Sequence, residues 1–124
     1  YKMARNIDIS TKEYDALVSV DAKDFYIETF TIKTGQGVIL RGTPLGVETA
    51  TGKLLVCDST NSDGSEDIFA IACQDADTTA ADVNSVVYVE GCFNSDEVLW
   101  QGTDTVATHK INARKVGIYF NKSI

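Results

Sequence analysis

Short apolar runs separated by turn residues at close, regular intervals fill the chain from Arg41 to Trp100. Glycine, aspartate and serine cluster between these runs, as they do from Asp58 to Asp67. Runs of this length suit strands, whereas a helix needs about three turns of periodic sequence. Many short strands joined by brief turns are typical of a small barrel or sandwich. We therefore predict a mainly β fold with a small barrel-like or sandwich-like body.

Individual strands are indicated by β-branched and aromatic residues between turn signals. We predict strands in the following segments: Phe25 to Lys33, Val38 to Leu40, Lys53 to Cys57, Ile68 to Cys73, Ser85 to Glu90 and Lys115 to Phe120. Val47 to Thr49 precedes Lys53 to Cys57, with Ala50-Thr51-Gly52 between them. This spacing predicts a hairpin.

One or two short helices are predicted after these strands. Ser95 can cap a turn that begins with two acidic residues, which places carboxylates at the positive end of the helix dipole. Thr108 can cap a second helix that runs to Arg114, with Gly117 just beyond it. Neither segment is long enough to organise the fold.

Residues 1–24 form a candidate N-terminal arm. They mix polar and apolar residues without a sustained period, and only Tyr14 to Val20 shows an extended, partly alternating pattern. Such a segment buries too little apolar surface to fold alone, so it needs a partner surface to become ordered. An aromatic side chain such as Tyr1 or Tyr14 on a weakly structured arm is a natural anchor for a partner's pocket. We therefore divide the chain into an extended arm, residues 1–24, and a β-rich domain, residues 25–124.

The charge of the chain disfavours two classes of partner. Its 124 residues fit one domain and carry a net charge of −7. Nucleic acid and anionic lipid both attract clustered Lys and Arg, so we expect neither nucleic acid nor a membrane as a partner. The densest cationic group is interpreted as a solvated face: Lys110, Arg114, Lys115 and Lys122. No apolar stretch reaches the length of a membrane span.

The cysteines indicate a reduced protein synthesised in the cytoplasm. Cys57, Cys73 and Cys92 are odd in number, in a domain large enough not to need disulfides. Each lies in or beside an apolar run, where a free cysteine behaves as a small buried hydrophobe. Together with His109 they lack the close ligand pairs that zinc sites use. We therefore expect no metal and no cofactor.

Motifs that suggest chemistry fail on their spacing. Gly46 to Lys53 resembles a phosphate-binding loop, but its glycines are wrongly spaced and Leu54 replaces the metal-binding hydroxyl. The loop from Ser59 resembles a calcium loop, but Ala70 stands where a bidentate carboxylate is needed. His109 lies in a polar stretch that we expect to be exposed, with no nucleophile beside it. We therefore predict that the chain is not an enzyme.

Several segments carry a resemblance through their order and spacing: Gly35-Gln36-Gly37, Arg41-Gly42-Thr43-Pro44-Leu45-Gly46, Gly52-Lys53-Leu54-Leu55-Val56, Asp63-Gly64, Ile68-Phe69-Ala70-Ile71-Ala72, Val86-Val87-Tyr88-Val89-Glu90-Gly91-Cys92-Phe93 and Val98-Leu99-Trp100. Together they resemble the lambda-type phage head-decoration proteins. The resemblance covers Gly35 to Trp100 and extends to a last segment from Val116 to Phe120. Tyr14 to Val18 also resembles a segment that precedes the body in longer members.

This resemblance implies a protein that cements a phage capsid. Members form homotrimers on the outside of the expanded head and reinforce it against the internal pressure of DNA. Their N-terminal arms become ordered on the shell. The implied partner is the major capsid protein, and the implied location is the outer surface of the virion. The resemblance and the arm together predict a capsid-binding set: Tyr1, Ile7, Ile9, Tyr14, Leu17 and Val18.

A second class of function stays open, that of a small β-barrel that binds a sugar or a peptide. Such a module needs an exposed cleft lined by aromatic side chains. Tyr88 and Trp100 are the residues that we would expect to line it. Trp100 is more simply interpreted as a core residue.

Overall fold

A computed structural model of the chain describes residues 17–18 and 25–121. Residues 25–121 contain eight strands, one α-helix and one 3₁₀ helix. The strands are β1 (Tyr26–Ile32), β2 (Val38–Ile39), β3 (Pro44–Val47), β4 (Leu54–Val56), β5 (Ala70–Ala72), β6 (Ala76–Asp77), β7 (Val83–Asn94) and β8 (Ile118–Asn121). The 3₁₀ helix (Ser95–Glu97) and the α-helix α1 (Val106–Lys115) lie between β7 and β8.

Five strands close into a barrel in the order β1-β4-β3-β5-β7, and β7 pairs back with β1. Every pairing in this ring is antiparallel except the contact of β1 with β4, which meet in parallel at Ile32 and Leu54. β8 adds in parallel to the last residues of β7. β2 and β6 form a separate two-stranded sheet. The prediction of a mainly β, barrel-like body is confirmed.

Two hydrophobic cores lie on opposite faces of β5. Side chains alternate along a strand, so Ala70 and Ala72 face the barrel interior while Ile71 faces away from it. The barrel core contains Ile32, Ile39, Leu45, Leu54, Ala70, Ala72, Ala76 and Val87. The outer core lies between the barrel and the elements that cover it, and contains Leu17, Cys57, Ile68, Ile71, Tyr88, Phe93, Val98, Ala113, Ile118 and Phe120.

β7 serves both cores because its alternation changes along its length. Val89 packs against the barrel core, whereas Phe93, four residues later, is buried in the outer core. An even spacing would keep both side chains on one face of a regular strand. The pairing of β1 with β7 shifts in register between Tyr26 and Ile27, as a β-bulge does. This irregularity redirects the end of β7 toward the outer core.

The predicted hairpin is confirmed. β3 and β4 pair antiparallel, with Val47 opposite Leu54. Gly52 has a φ of 74°, a left-handed conformation that favours glycine, and its N–H donates to the carbonyl of Glu48 at 2.8 Å.

Each predicted strand overlaps an observed one, but several bounds differ and β6 was not predicted. β7 extends the segment from Ser85 to Glu90 in both directions, and β3 lies N-terminal to the predicted Val47 to Thr49 and shares only Val47 with it. The last strand begins at Ile118 and not at Lys115, because Lys115 ends α1.

Both predicted helices form, but their caps differ from the prediction. Asn94 rather than Ser95 caps the 3₁₀ helix, since its side-chain oxygen accepts from the Asp96 N–H at 3.0 Å. Thr105 precedes α1, and its N–H donates to the hydroxyl of Thr108 at 3.1 Å. The α-helix therefore begins earlier than predicted. Across the described residues, no helix is long and apolar enough to cross a membrane.

Candidate functional site

Two residues of the predicted capsid-binding set, Leu17 and Val18, lie against the body at the end of β7. The carbonyl of Leu17 accepts a hydrogen bond from the Asn94 N–H at 2.8 Å. Val18 forms an antiparallel bridge with Phe93 and packs against the outer core. The rest of the set, Tyr1, Ile7, Ile9 and Tyr14, lies outside the described residues.

The side chain of Leu17 closes one side of the outer core. Only 1% of Leu17 is exposed to solvent. A Cβ atom on Gly42 would lie 3.7 Å from Leu17 Cδ1 and 3.2 Å from the carbonyl oxygen of Glu97. The leucine is therefore enclosed where the turn before β3 approaches the 3₁₀ helix. The burial of Leu17 against the body of its own chain was not predicted. An extended apolar segment has the same sequence pattern whether it pairs with the sheet of its own chain or with the sheet of a partner protein.

Three consecutive large apolar side chains are exposed where β1 begins. Phe25, Tyr26 and Ile27, here called the β1 patch, are 47%, 56% and 54% exposed. The ring of Phe25 contacts the ring of Tyr88 edge-on, with 5.4 Å between the centroids. Single exposed apolar residues are ordinary, and successive side chains of a strand point to alternate faces, so the β1 patch offers apolar side chains on more than one face as candidate interaction surface.

Carboxylates of the acidic loops accept hydrogen bonds from N–H and hydroxyl groups of the same loops. Asp63 accepts hydrogen bonds from the N–H and hydroxyl of Ser65, at 3.0 and 2.5 Å. These bonds lower the pKa of Asp63, and a bond from Thr79 does the same for the pKa of Asp77. Among residues 17–18 and 25–121, no group of three or more His, Cys, Asp or Glu side chains is placed to hold a metal ion. These loops are solvated surface, as their composition indicates.

The cationic face of α1 is solvated, as predicted. Lys110, Arg114 and Lys115 are all exposed. The guanidinium of Arg114 lies over the ring of Tyr119, 5.6 Å from its centroid. Lys122 lies outside the described residues. These three cations of α1 do not reverse the net charge of the chain, which is −7.

His109 is buried, and the prediction that it is exposed is wrong. Only 1% of the residue is exposed. Its Nε2 lies 2.8 Å from the carboxylate of Asp104, and its ring stacks on Trp100 with 5.5 Å between centroids. The signal for this burial was the spacing of Val106, His109 and Ala113, which places all three on one face of a helix.

Asp104 connects α1 to the loop that follows β4. Besides its contact with His109, its carboxylate accepts from the N–H of Ser59 at 2.9 Å and from its hydroxyl at 2.5 Å. Burial opposes ionisation of Asp104, but the hydrogen bonds from Ser59 and His109 outweigh it and lower the pKa of the carboxyl group. The carboxylate is therefore satisfied on both oxygens, and it serves as a structural link.

Cys57 completes an arrangement that superficially resembles a catalytic triad with His109 and Asp104. Its Sγ lies 3.9 Å from His109 Nδ1 and 4.0 Å from Nε2, so the thiol is directed at neither nitrogen. Burial, followed by the nearby charge of Asp104, raises the pKa of Cys57 to about 12. A nucleophilic cysteine needs a low pKa and access to substrate. Cys57 has neither, since none of it is exposed.

The two aromatic residues expected in a ligand cleft are packed in the outer core. Tyr88 is 5% exposed, its ring lies 5.2 Å from that of Phe93, and its hydroxyl is 3.0 Å from Arg41 Nη1. Trp100 is half-buried between His109 and Phe120. Two shallow depressions elsewhere on the described surface contain neither ring.

Comparison with protein families gives a match over most of the chain. A protein family described as "Bacteriophage lambda head decoration protein D" matches residues 7–117, about nine tenths of the chain. The match includes the helix and all the barrel strands, and it begins within the arm at Ile7. No curated protein gives a significant match to the chain.

Thiol labelling tests the inertness of Cys57. In the native protein we expect iodoacetamide at pH 8 to modify Cys73 and Cys92, which are partly exposed, and to leave Cys57 unmodified, because its raised pKa and burial suppress the thiolate. Peptide mass spectrometry measures each site separately. Unfolding in guanidinium chloride should make all three cysteines react. Labelling of Cys57 at the rate of Cys92 would contradict this assignment.

Substitution Asp104→Asn tests the buried link. A carboxyl group with a lowered native pKa contributes stability above its unfolded pKa, and loses it as pH falls through the native value. We expect Asp104→Asn to lower the free energy of unfolding by about 1–3 kcal/mol at pH 7, with a smaller penalty as the pH falls from 7 through the lowered native pKa of this carboxyl group. Urea denaturation across this pH range measures both effects. The exposed Glu97→Gln is the matched control, and equal losses for both variants would contradict the link.

Proposed function

The chain belongs to the family of the bacteriophage lambda head decoration protein, and from this premise we propose that it binds the outer surface of the expanded head as a homotrimer and stabilises the shell. Decoration of a phage head is the function that the family carries. The observation on which the finer proposal rests is the extent of the match, which joins part of the arm to a complete barrel.

The arm supplies the proposed contact with the major capsid protein. Ile7, Ile9 and Tyr14 are apolar residues in an otherwise polar segment, and all three fall within the family match. Tyr1 precedes the match and is assigned to the same contact. An extended segment can add to an exposed sheet edge, where main-chain hydrogen bonds provide affinity and alternate side chains provide specificity. Leu17 and Val18 hold the base of this arm.

Symmetry and exposed apolar surface support the proposed trimer. A three-fold assembly matches the three-fold and quasi-three-fold positions of an icosahedral shell, so each arm meets an equivalent surface. The β1 patch offers apolar area that a subunit contact could bury. Three arms on one trimer also bind together, which raises the apparent affinity above that of a single arm.

The chemistry of the body suits a structural role on the outside of a particle. A net charge of −7 disfavours capture of nucleic acid. The most reactive-looking arrangement in the described body, Cys57 with His109 and Asp104, is sealed in the outer core. The alternative of a sugar-binding or peptide-binding module needs exposed rings, and Tyr88 and Trp100 are packed instead.

Co-sedimentation with expanded, undecorated phage heads tests the decoration role and the arm. We expect the full chain to pellet with the heads, and a chain carrying Ile7→Asp and Ile9→Asp to bind at least about tenfold more weakly, because charge at an apolar contact is costly to bury. Ile111→Asp is the control, since Ile111 is 68% exposed on α1. Absence of binding by the full chain would exclude this function. Equal binding by the arm variant would place the contact elsewhere.

The oligomeric state is tested separately. We expect sedimentation equilibrium to give three times the mass of one chain, or cross-linking on decorated heads to give trimers if association needs the shell. The same cross-linking treatment, applied to a mixture of free chain and unexpanded heads, controls for random cross-linking. Monomers both in solution and on heads would rule out the trimer while leaving decoration in place.

A further inference from the structure

Leu17 and Val18 precede β1 in the chain, yet both belong to the body. We infer that these two residues form an anchor, a built-in edge strand that completes the outer core and fixes the point where the arm leaves the body. With the anchor assigned to the body, the capsid-binding arm ends before residue 17 and not at residue 24. Residues N-terminal to Leu17 then remain available for the capsid. This last assignment rests on the function proposed above, whereas the anchor itself does not.

The backbone contact of the anchor occurs where β7 is already paired on another side. Phe93 and Asn94 of β7 pair in parallel with Phe120 and Asn121 of β8. The same Asn94 donates its N–H to the Leu17 carbonyl, and the same Phe93 bridges Val18. The end of β7 is thus a central strand with a neighbour on each edge. The anchor thus adds a short bridge to the end of β7, beside the pairing with β8.

The side-chain contact gives the anchor its strength. Leu17 is as buried as the central residues of the outer core, at 1% exposure, and Phe93 and Val98 belong to the same cluster. Removing a fully buried leucine leaves a cavity and is among the more destabilising substitutions. Asn94 adds a second connection, because its side chain caps the 3₁₀ helix while its N–H holds the anchor. Release of Leu17 therefore disturbs the sheet, the core and the 3₁₀ helix together.

An anchored arm binds differently from one attached by a free linker. Fixing one end shortens the length of chain between the body and the residues that we propose bind the capsid, which raises their effective concentration at a nearby site and lowers the ordering cost on binding. The anchor also passes any force on the arm into β7, the strand that closes the barrel. Leu17 contributes to this path through both its carbonyl and its buried side chain, and Val18 contributes through its bridge to Phe93.

Hydrogen exchange and thermal melting of the free, full-length protein test the anchor. In the native chain we expect the Asn94 amide to be protected, since the Leu17 carbonyl accepts from it. Leu17→Ala should lower the melting temperature by about 10 °C and reduce protection at Asn94 at least tenfold more than at Gly91. Gly91 is the internal reference, because its N–H bonds to Gly117 at the β8 edge. Ile111→Ala, on an exposed residue, is the matched control and should change neither quantity.

Each outcome bears on the anchor independently of capsid binding. An unprotected Asn94 amide in the native chain, or a melting temperature unchanged by Leu17→Ala, would overturn the anchor even if heads are decorated. If Leu17→Ala fails to fold while Ile111→Ala folds, the anchor is supported, and the smaller Leu17→Val provides the graded melting shift. Protected Asn94 with no binding of the full chain to heads would keep the anchor and exclude the decoration role.

Discussion

β7 is the element on which the rest of the structure depends, because one strand closes the barrel and also forms the floor of the outer core. Its first part pairs with β1 and β5, and its last residues pair with β8. The change of face between Val89 and Phe93 makes this double use possible. Crowding is tight at this point, since a Cβ on Gly91 would lie 2.7 Å from Phe25 Cβ. Glycine is therefore required where the strand redirects itself.

The two cores divide structural roles in the molecule. The barrel core is made largely of aliphatic side chains and holds a rigid ring of strands. The outer core collects the aromatic rings, a buried His–Asp link and the base of the arm. The attachment point of the arm, which we propose binds the capsid, therefore lies in the same layer as the buried His109–Asp104 link. Head decoration needs a stable body that presents a binding segment, and it needs no reactive group.

Local sequence features predicted the local structure well. β-branched runs and the Ala50-Thr51-Gly52 turn were sufficient for the strands and the hairpin, because both depend on neighbouring residues. The pairing of β1 with β7 and the contact of β1 with β4 depend on distant residues and could not be derived from such patterns. The same limit applies to Leu17, whose partner lies at the far end of β7. His109 was missed for another reason, since polarity was weighted above its helical spacing with Ala113.

Closure of the barrel by β1 and β7 has a consequence for how the chain folds. Thr31 and Asn84 hydrogen-bond across this seam although they are 53 residues apart in sequence. Bringing such distant segments together costs loop entropy before any contact compensates for it, and proteins dominated by distant pairings fold in milliseconds to seconds. The β3–β4 hairpin and the α1–β8 unit are local and can form early. Newly made chains therefore carry an open seam until β7 arrives, and unpaired strand edges are exposed to mispairing between neighbouring chains during that interval.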